Sequence, residues 1–254
     1  MILVVDVGNT NTVLGLMNGQ EVHSTFRITT QPRTTDEIGM LMIALFSHRG
    51  VALDEVTGAI ISTVVPSVLF ETERAIRRYL KCEALVVGRK LKTGIRVKTD
   101  NPREVGADRI VNAVAAVARW GAPIVVVDFG TATTFDCVNT EGDYVGGAIA
   151  PGFRISVEAL SSRTAQLPRV ELTRPPQAIG TNTVHAMQSG LLFGYAGLVD
   201  ALARRCRAEL GGAAKVVATG GLATLVAGES EMIEEVDANL TLRGLAMLYE
   251  RNVK

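Results

Sequence analysis

Residues 2–12 read Ile2-Leu3-Val4-Val5-Asp6-Val7-Gly8-Asn9-Thr10-Asn11-Thr12. The apolar, β-branched start of this stretch predicts a buried strand over residues 2–7, which ends around Asp6 and Gly8. Residues 12–16 and 21–28 predict two more strands, and Asn18-Gly19 between them is typical of a tight hairpin turn. The chain is therefore expected to begin with three antiparallel strands.

The same pattern returns in the second half of the chain. Residues 124–134 read Ile124-Val125-Val126-Val127-Asp128-Phe129-Gly130-Thr131-Ala132-Thr133-Thr134, which aligns with residues 2–12 at an offset close to half of the 254 residues. The order of strands and helices repeats as well, and this favours an internal duplication. The alternative is a coincidence of two buried strands that both end in Asp-x-Gly. A duplication predicts two similar α/β lobes with a cleft between them.

The remaining segments predict alternating helices and strands. Strands are expected at residues 58–64, 84–87, 135–138, in a segment ending at Gly152, and at 215–219. Helices are expected from about Thr35, from Pro66, where a first-turn proline is tolerated, and from about Leu240. A helix over residues 108–120 links the two halves. We therefore expect an N-terminal lobe of residues 1–118 and a C-terminal lobe of residues 119–254.

The composition excludes several classes of partner. Hydrophobic residues make up 47% and charged residues 20% of the chain, as in a globular protein. Lys plus Arg and Asp plus Glu each number 26, so the formal net charge is zero. This balance gives no electrostatic basis for binding nucleic acid or an anionic membrane, and 5% aromatic residues argue against base stacking.

The cysteines and histidines indicate neither a disulfide framework nor a zinc site. Cys82, Cys137 and Cys206 are far apart and form no CxxC pair, and the three histidines form no HExxH motif. No basic segment precedes Asp6, and no apolar run approaches the roughly 20 residues that span a bilayer. We expect a reduced, cytoplasmic protein without a membrane segment.

A strand that ends in Asp-x-Gly before small polar residues is suited to phosphate chemistry. The carboxylate can hold a hydrated Mg²⁺, and backbone N–H groups around Asn9, Thr10 and Asn11 can face phosphate oxygens. For one copy, a β-hairpin with Asx-type hydrogen bonds explains the pattern equally well. Two copies favour phosphate binding. Other phosphate loops fit worse, because the sequence has no GxxxxGK[ST], no GxGxxG after the first strand, and no VAIK or HRD upstream of Asp128-Phe129-Gly130.

Three further segments carry candidate site residues. The loop from Asn101 to Arg109 places Asp108 and Arg109 side by side, which offers a base for a hydroxyl and a cation for a carboxylate. Asp108 is also a plausible helix N-cap. Residues 180–183 and 219–221 read Gly-Thr-Asn-Thr and Thr-Gly-Gly, and each fits either a ligand contact or an ordinary capping segment or turn.

The chain resembles the type III pantothenate kinases, a family of the acetate and sugar kinase/Hsp70/actin superfamily. The resemblance covers nearly the whole length, and its motifs are Asp6 to Thr10, Asn101 to Arg109, Asp128 to Thr133, Gly146 to Gly152, and Gly180 with Thr183. It implies an α/β fold of two ribonuclease H-like lobes with mixed sheets, the actin-like ATPase fold. It also implies ATP-dependent phosphorylation of pantothenate to 4'-phosphopantothenate, the first step of coenzyme A biosynthesis, and a homodimer.

The resemblance also implies roles for individual residues. ATP contacts are expected from Asp6, Val7, Gly8, Asn9, Thr10, Asn11, Thr12, Val13 and Thr131. Pantothenate contacts are expected from Gly106, Ala107, Asp108, Arg109 and Thr183. Asp108 corresponds to the proton acceptor, Asp6 to a residue near the Mg²⁺ (with water as a possible bridge), and Asp128 to the ligand of a monovalent cation, K⁺ or NH4⁺. Thr99 departs from the family, which commonly has tyrosine there, and this puts one substrate contact in question.

Two other functions compete with this reading. One is a non-catalytic regulatory protein that keeps the nucleotide site, as in relatives named accessory transcription factors. The other is a kinase of the same superfamily that acts on a different small hydroxylated acid. The presence of all three candidate carboxylates and the lack of a basic surface favour the pantothenate kinase.

Overall fold

The computed structural model describes residues 1–88, 90–162, 168 and 170–253. The chain divides into two compact units. The first comprises Met1–Ile95, Asn101–Ala115 and Asn239–Lys254, and the second comprises Arg96–Asp100 and Ala116–Ala238. Each unit is built on one five-stranded mixed sheet.

The first unit contains strands β1 to β5 in the spatial order β3-β2-β1-β4-β5. The strands are β1 (Ile2–Val7), β2 (Asn11–Asn18), β3 (Glu21–Thr29), β4 (Gly58–Thr63) and β5 (Ala84–Val86). β1 pairs antiparallel with β2 and parallel with β4. The helices are α1 (Thr35–His48), α2 (Pro66–Ala75), α7 (Leu240–Val253) and the first part of α3 (Ala107–Trp120).

Local sequence signals explain where these helices begin. Thr34 caps α1 in a capping box with Glu37: the Thr34 hydroxyl accepts the Glu37 N–H, and the Glu37 carboxylate accepts the Thr34 N–H. Pro66 occupies the first turn of α2, where its missing N–H costs no hydrogen bond. These two positions match the helix starts predicted from the sequence.

Alternation along β1 divides the first unit into two packed layers. Leu3, Val5 and Val7 are buried on one face of the sheet, in a core with Phe46 of α1. On the other face, a Cβ atom added to Gly15 would lie 2.8 Å from Val4 Cγ2 and 3.2 Å from Leu242 Cδ1. The absence of a side chain at Gly15 therefore lets α7 approach the sheet closely.

The second unit repeats this architecture. Its strands are β6 (Ile124–Phe129), β7 (Ala132–Val138), β8 (Tyr144–Pro151), β9 (Lys215–Gly220) and β10 (Glu235–Val236), in the order β10-β9-β6-β7-β8. β6 pairs antiparallel with β7 and parallel with β9, as β1 does with β2 and β4. The helices are α4 (Phe153–Ser162), α5 (Thr183–Glu209) and α6 (Ala223–Ala227). The predicted repetition of element order is confirmed.

The compact units differ from the predicted division at residue 118. The chain passes from the first unit to the second after Ala115, within α3. The segment from Asn239 onward belongs to the first unit again. The reason is packing, because α7 covers the β1–β4 part of the first sheet. Residues 96–100 lie with the second unit because Val97 forms a parallel bridge with Tyr144 of β8.

Two element starts also differ from the sequence expectation. β7 begins at Ala132 rather than 135, and α5 begins at Thr183 rather than near Met187. The Asn182 side chain accepts the His185 N–H at 2.9 Å, so Asn182 is the N-cap that fixes the earlier start. Within the described ranges, no helix combines the length and apolar composition of a membrane span.

Candidate active site

The turn between β1 and β2 carries the first candidate phosphate-binding segment. Asp6 lies near the end of β1, and the Gly8 N–H donates to the Asn11 carbonyl oxygen at 3.0 Å. The Thr30 N–H donates to the Thr10 carbonyl oxygen at 3.0 Å, and the hydroxyls of Thr12 and Thr30 are 2.9 Å apart. The structure thus gathers the predicted nucleotide contacts from Asp6 to Val13 into one hairpin.

The residues of this hairpin differ in what they can offer a ligand. Val7 is 1% exposed and its side chain belongs to the core, so only its backbone groups can face a phosphate. Asn9 is exposed, and Asp6, Gly8 and Thr10 are half-buried. A Cβ atom at Gly8 would lie 3.1 Å from the Asn11 carbonyl oxygen, so the tight turn favours glycine there.

The second hairpin, between β6 and β7, has a similar construction. The Gly130 N–H donates to the Ala132 carbonyl oxygen at 3.1 Å, the counterpart of the bond between Gly8 and Asn11. Asp128 lies on β6 opposite Thr219 of β9 and Thr134 of β7, as Asp6 lies opposite Ser62 and Val13. The two predicted Asp-x-Gly units therefore occupy matching places at the ends of the central strands, but the second turn is one residue shorter, since Asp6 pairs with Val13 and Asp128 with Thr134.

Two glycines pack against this second hairpin: Gly220, from the segment that fitted either a ligand contact or a turn, and Gly152, from the family motif. A Cβ atom at Gly220 would lie 2.6 Å from the Phe129 carbonyl oxygen and 2.7 Å from Asp128 Oδ1. A Cβ atom at Gly152 would lie 2.6 Å from the Thr131 carbonyl carbon and 2.9 Å from the Gly130 carbonyl oxygen. These contacts are closer than a side chain allows. Gly220 and Gly152 therefore determine the positions of Asp128 and Thr131.

Ser62 is a polar residue beside Asp6 that sequence reasoning missed. The two residues are paired in register on the parallel strands β1 and β4, which puts their side chains on the same face of the sheet. Ser62 is 0% exposed, and its hydroxyl has no hydrogen-bond partner within the described residues. Native buried hydroxyls are nearly always bonded, so such an exception calls for an explanation.

We expect Ser62→Ala to stabilise the protein by about 1 kcal/mol, because the substitution removes an unsatisfied hydroxyl and leaves little space behind. Urea denaturation monitored by circular dichroism measures this change. Ser24→Ala is a suitable control, since Ser24 is also buried but bonds to His23. A clear loss of stability in Ser62→Ala would show that the hydroxyl has a partner, such as a bound water.

The loop that precedes α3 carries the third candidate carboxylate. Because α3 begins at Ala107, Asp108 lies in the first helical turn and not at the N-cap. Its Oδ1 accepts the Arg109 N–H at 2.8 Å, and a Cβ atom at Gly106 would lie 2.6 Å from the same oxygen. Gly106 therefore leaves the space that the Asp108 carboxylate occupies.

Burial determines the protonation behaviour of Asp108. Desolvation by burial is the largest effect and raises the pKa of Asp108 above its ordinary value. The backbone N–H and the charge of Arg109, together with the N–H of Asp108 itself, lower this pKa by less. A carboxylate with a raised pKa is a stronger base, and such groups are frequent in active sites.

The segment before this loop is anchored to β8 of the second unit. Arg96 Nε and Lys98 Nζ each lie 2.6 Å from an oxygen of Asp143, whose side chain is 2% exposed. Hydrogen bonds from Lys98 and then Arg96 hold the pKa of Asp143 below its ordinary value. This clamp also positions Thr99, whose hydroxyl is buried with no partner in the described part of the chain.

Thr183, the last predicted substrate contact, is the first residue of α5 and is exposed. It borders an open cavity of about 610 Å³ in the second unit. Small residues form much of the lining, which comprises Leu160, Gly180, Thr181, Asn182, Thr183, Ala186, Met187, Gly190 and Leu191. This volume is in the range of small-molecule sites.

Comparison with known proteins identifies the family of this chain. The family model described as type III pantothenate kinase matches residues 2–205. The type III pantothenate kinase of Myxococcus xanthus (strain DK1622) is 53% identical over 253 residues, which is 99% of each chain. The type III pantothenate kinase of Geobacillus kaustophilus (strain HTA426) is 52% identical over 255 residues, covering 100% of this chain and 99% of that one.

The chain belongs to the type III pantothenate kinase family. The family recognised from the sequence motifs is thereby confirmed, and so is the expectation that the protein is a kinase. The contacts of individual site residues remain predictions.

Solved structures show the fold of this pantothenate kinase family member. A Campylobacter jejuni protein provisionally described as a Baf family transcriptional activator has a TM-score of 0.61 at 20% identity, covering 99% of both chains. Component A of (R)-2-hydroxyglutaryl-CoA dehydratase from Acidaminococcus fermentans has a TM-score of 0.53 at 17% identity, covering 100% and 99%. An Arthrobacter polyphosphate/ATP-glucomannokinase has a TM-score of 0.51 at 15% identity, covering 97% and 96%. The predicted actin-like ATPase fold of two α/β lobes is confirmed, and at these identities the likeness shows the fold alone.

The carboxylates of this family member suit a metal that is shared with phosphates. Within the described ranges, no group of three or more His, Cys, Asp or Glu side chains could hold a metal ion by itself. Mg²⁺ in nucleotide enzymes commonly binds one or two carboxylates together with phosphate oxygens and water. Asp6 beside a turn of backbone N–H groups fits that donor set.

Proposed function

We propose that this chain transfers the γ-phosphoryl group of ATP to pantothenate, giving 4'-phosphopantothenate in the first step of coenzyme A biosynthesis. The observation that carries this proposal is Asp108, a half-buried carboxylate with a raised pKa beside Arg109, in a loop that matches the family's pantothenate-binding motif. Two relatives that are 53% and 52% identical bear the name type III pantothenate kinase, which supports the choice of substrate.

On the nucleotide side, the hairpin from Asp6 to Val13 binds the ATP phosphates through its backbone N–H groups and the hydroxyls of Thr10 and Thr12. Asp6 holds Mg²⁺, directly or through water. When bound, the metal neutralises charge on the phosphate oxygens, which is the main requirement of phosphoryl transfer. Thr131 in the second hairpin supplies a further nucleotide contact.

On the substrate side, Asp108 accepts the proton of the primary hydroxyl of pantothenate as that oxygen attacks phosphorus. Arg109 pairs with the substrate carboxylate, and Gly106, Ala107 and Thr183 complete the pantothenate contacts. General-base catalysis by a positioned carboxylate contributes about 100-fold or more to the rate. The raised pKa of Asp108 places its base strength closer to the working pH.

Asp128 holds a monovalent cation, K⁺ or NH4⁺, that adds positive charge near the phosphates. The support is the donor set, because Asp128 Oδ1 and the Phe129 carbonyl oxygen both lie beside Gly220, 2.7 Å and 2.6 Å from the position of an added Cβ atom. Carboxylate and carbonyl oxygens are the hard ligands that such cations accept.

The test of this function is ADP production from ATP and Mg²⁺, with and without pantothenate, in potassium, ammonium and sodium buffers. We expect turnover that depends on pantothenate and is faster with K⁺ or NH4⁺ than with Na⁺. A panel of other small hydroxy acids tests the substrate assignment. ATP binding without pantothenate-dependent turnover would contradict the proposal and favour a regulatory protein.

A homodimer through α5 completes the proposal. Added Cβ atoms at Gly190, Gly194 and Gly197 on α5 would have no neighbour within 4 Å, so this helix face is open. Near its start, Ile179 is 80% exposed and Val184 is 41% exposed. Small residues let two helices approach closely, and exposed aliphatic side chains at one site are typical of an interface.

The three free cysteines agree with a cytoplasmic location.

We expect Gly194→Glu to convert the dimer into a folded monomer, because a buried carboxylate between two helices has no partner while glutamate favours the helix itself. Size-exclusion chromatography with light scattering measures the mass. Met40→Glu, at a 59% exposed position of α1, is the matched control and is expected to remain dimeric. An unchanged dimer in Gly194→Glu would place the interface elsewhere.

A further inference from the structure

Two cysteines that lie far apart in the sequence meet inside the second unit. Cys137 belongs to β7 and is 6% exposed, and Cys206 belongs to the last two turns of α5 and is half-buried. Val199, Ala203 and Cys206 share one face of α5, which packs in and against the core that contains Cys137, and the two thiols interact there. Neither residue has a part in the phosphoryl transfer described above.

The surroundings make the two thiols chemically unequal. Cys137 lies in the core formed by β6, β7, β9 and α5, with Val199 and Ala203 of the same helix, while Cys206 packs at the edge of this core. Asp136 and Glu209 are the charged groups that act on the pair, and both disfavour a thiolate on Cys137. The Cys137 hydrogen bond lowers the pKa of Cys206 to about 7, whereas the pKa of Cys137 is raised.

We propose that Cys137 and Cys206 form a peroxide-reactive dithiol, in which Cys206 is the attacking thiol and Cys137 the resolving one. The inference rests on the juxtaposition of the thiols and on no part of the proposed kinase function. Transient disulfides of this kind in reduced compartments are usually redox-sensing or catalytic. A partly exposed thiolate next to a second cysteine is the usual arrangement of oxidant-sensitive thiols.

The oxidation needs one hydrogen peroxide and proceeds in two steps. The Cys206 thiolate attacks one peroxide oxygen, the S–O bond forms, the O–O bond breaks, and hydroxide leaves as water after taking up a proton. Cys206 is thereby oxidised to a sulfenic acid. The Cys137 sulfur then attacks the Cys206 sulfur, the S–S bond forms, the S–O bond breaks, and the departing hydroxide takes the Cys137 proton as water. Two thiols and one peroxide give one disulfide and two waters.

The product joins β7 covalently to α5. Both elements begin at predicted site residues, since β7 follows Thr131 directly and α5 starts at Thr183, while the cysteines lie toward the opposite ends of these elements. A hydrogen bond already links the same two elements in the core, since the Thr133 hydroxyl of β7 bonds to the Tyr195 hydroxyl of α5. The disulfide therefore adds a covalent link to packing that already exists between the two elements.

The experiment treats the full-length protein with hydrogen peroxide near pH 7 and counts the remaining thiols with a chromogenic disulfide reagent. We expect two of the three thiols to disappear, a tryptic peptide pair linked through Cys137 and Cys206 in the mass spectrum, and full recovery with dithiothreitol. Cys82, which lies in the first unit and has a pKa raised by burial, is the internal control. At pH 7, iodoacetamide is expected to modify Cys206 about tenfold faster than Cys82.

Single substitutions separate the two roles. Cys137→Ser is expected to give no linked peptide but a sulfenic acid on Cys206 that dimedone traps, whereas Cys206→Ser gives neither and Cys82→Ser behaves as the wild type. Circular dichroism confirms that each variant is folded, and the half-buried Cys206 and Cys82 tolerate serine better than the buried Cys137 does. Loss of Cys82 first, equal reaction of all three thiols, or oxidation of Cys206 without linkage in the wild type would overturn the proposal.

Discussion

Asp108→Asn is expected to lower pantothenate-dependent turnover by about 100-fold or more while making the folded protein more stable at neutral pH. The amide cannot accept the hydroxyl proton, so the proposed general base is lost. The amide is also neutral, so it avoids the desolvation that raises the pKa of Asp108. Steady-state kinetics measure the first effect, and thermal unfolding measures the second.

The sign of the stability change follows from the direction of the pKa shift. The folded protein holds the Asp108 proton more tightly than the unfolded chain does. In the unfolded chain the carboxyl has its ordinary pKa of 3.8. The stability linked to this group is therefore present in full below pH 3.8 and is lost as the pH rises through the folded pKa. The difference in melting temperature between Asp108→Asn and the wild type should accordingly shrink as the pH is lowered.

A nearby carboxylate provides the control for this prediction. Glu104 lies in the same loop, is exposed, and accepts a hydrogen bond from the Asn101 side chain at 3.1 Å. Glu104→Gln is expected to leave both turnover and melting temperature close to those of the wild type. Near-normal turnover in Asp108→Asn would remove Asp108 from the chemistry, and a lower melting temperature would contradict the dominant role of desolvation.

The central strands and two of the helix starts could be predicted because short, local stretches of sequence determine them. The β-branched runs that end in Asp6 and Asp128 identify the central strands β1 and β6, because such runs suit strands buried on both faces. The helix starts at Thr35 and Pro66 follow from capping chemistry within three residues. The repeated strand order then follows from aligning the two halves.

The grouping of α7 with the first unit shows what the periodicity of a helix cannot tell. The apolar stripe of α7 indicates a helix with one buried face, but the stripe does not specify which sheet it covers. The choice depends on Gly15 and Gly58, which leave room for Leu242 and Tyr249 on the first sheet. These positions are more than 180 residues from α7 in the chain, so no local pattern connects them.

The same reasoning explains why Ser62 was missed and why the role of Gly220 stayed open. Ser62 matters because β4 pairs in register with β1, and Gly220 matters because β9 pairs with β6. Strand pairing between distant segments is not visible in one sequence. The one usable signal was the Thr219-Gly220-Gly221 segment at the end of a buried strand, which fitted an ordinary turn equally well.

Gly152→Ala is expected to have the largest effect on stability among these substitutions, a loss of about 3 kcal/mol, together with weaker ATP binding. The new methyl group would overlap the Thr131 carbonyl group and lie 2.9 Å from the Gly130 carbonyl oxygen. All of these neighbours are backbone atoms, so no side chain can rotate away and the turn itself must move. Urea denaturation gives the free energy of unfolding, and isothermal titration with an ATP analogue gives the affinity.

Gly228→Ala separates this steric effect from the mere replacement of a glycine. Gly228 is the exposed C-cap residue of α6 with φ −65°, and an added Cβ atom there would lie 3.5 Å from the Leu225 carbonyl oxygen and 3.8 Å from the Thr224 carbonyl oxygen. These are ordinary contact distances, so alanine there should stabilise the protein by up to about 1 kcal/mol. The two variants thus differ in the sign of their effect. If Gly152→Ala instead proved as stable as the wild type, the turn that carries Thr131 would be able to yield, and Gly152 would not determine its position.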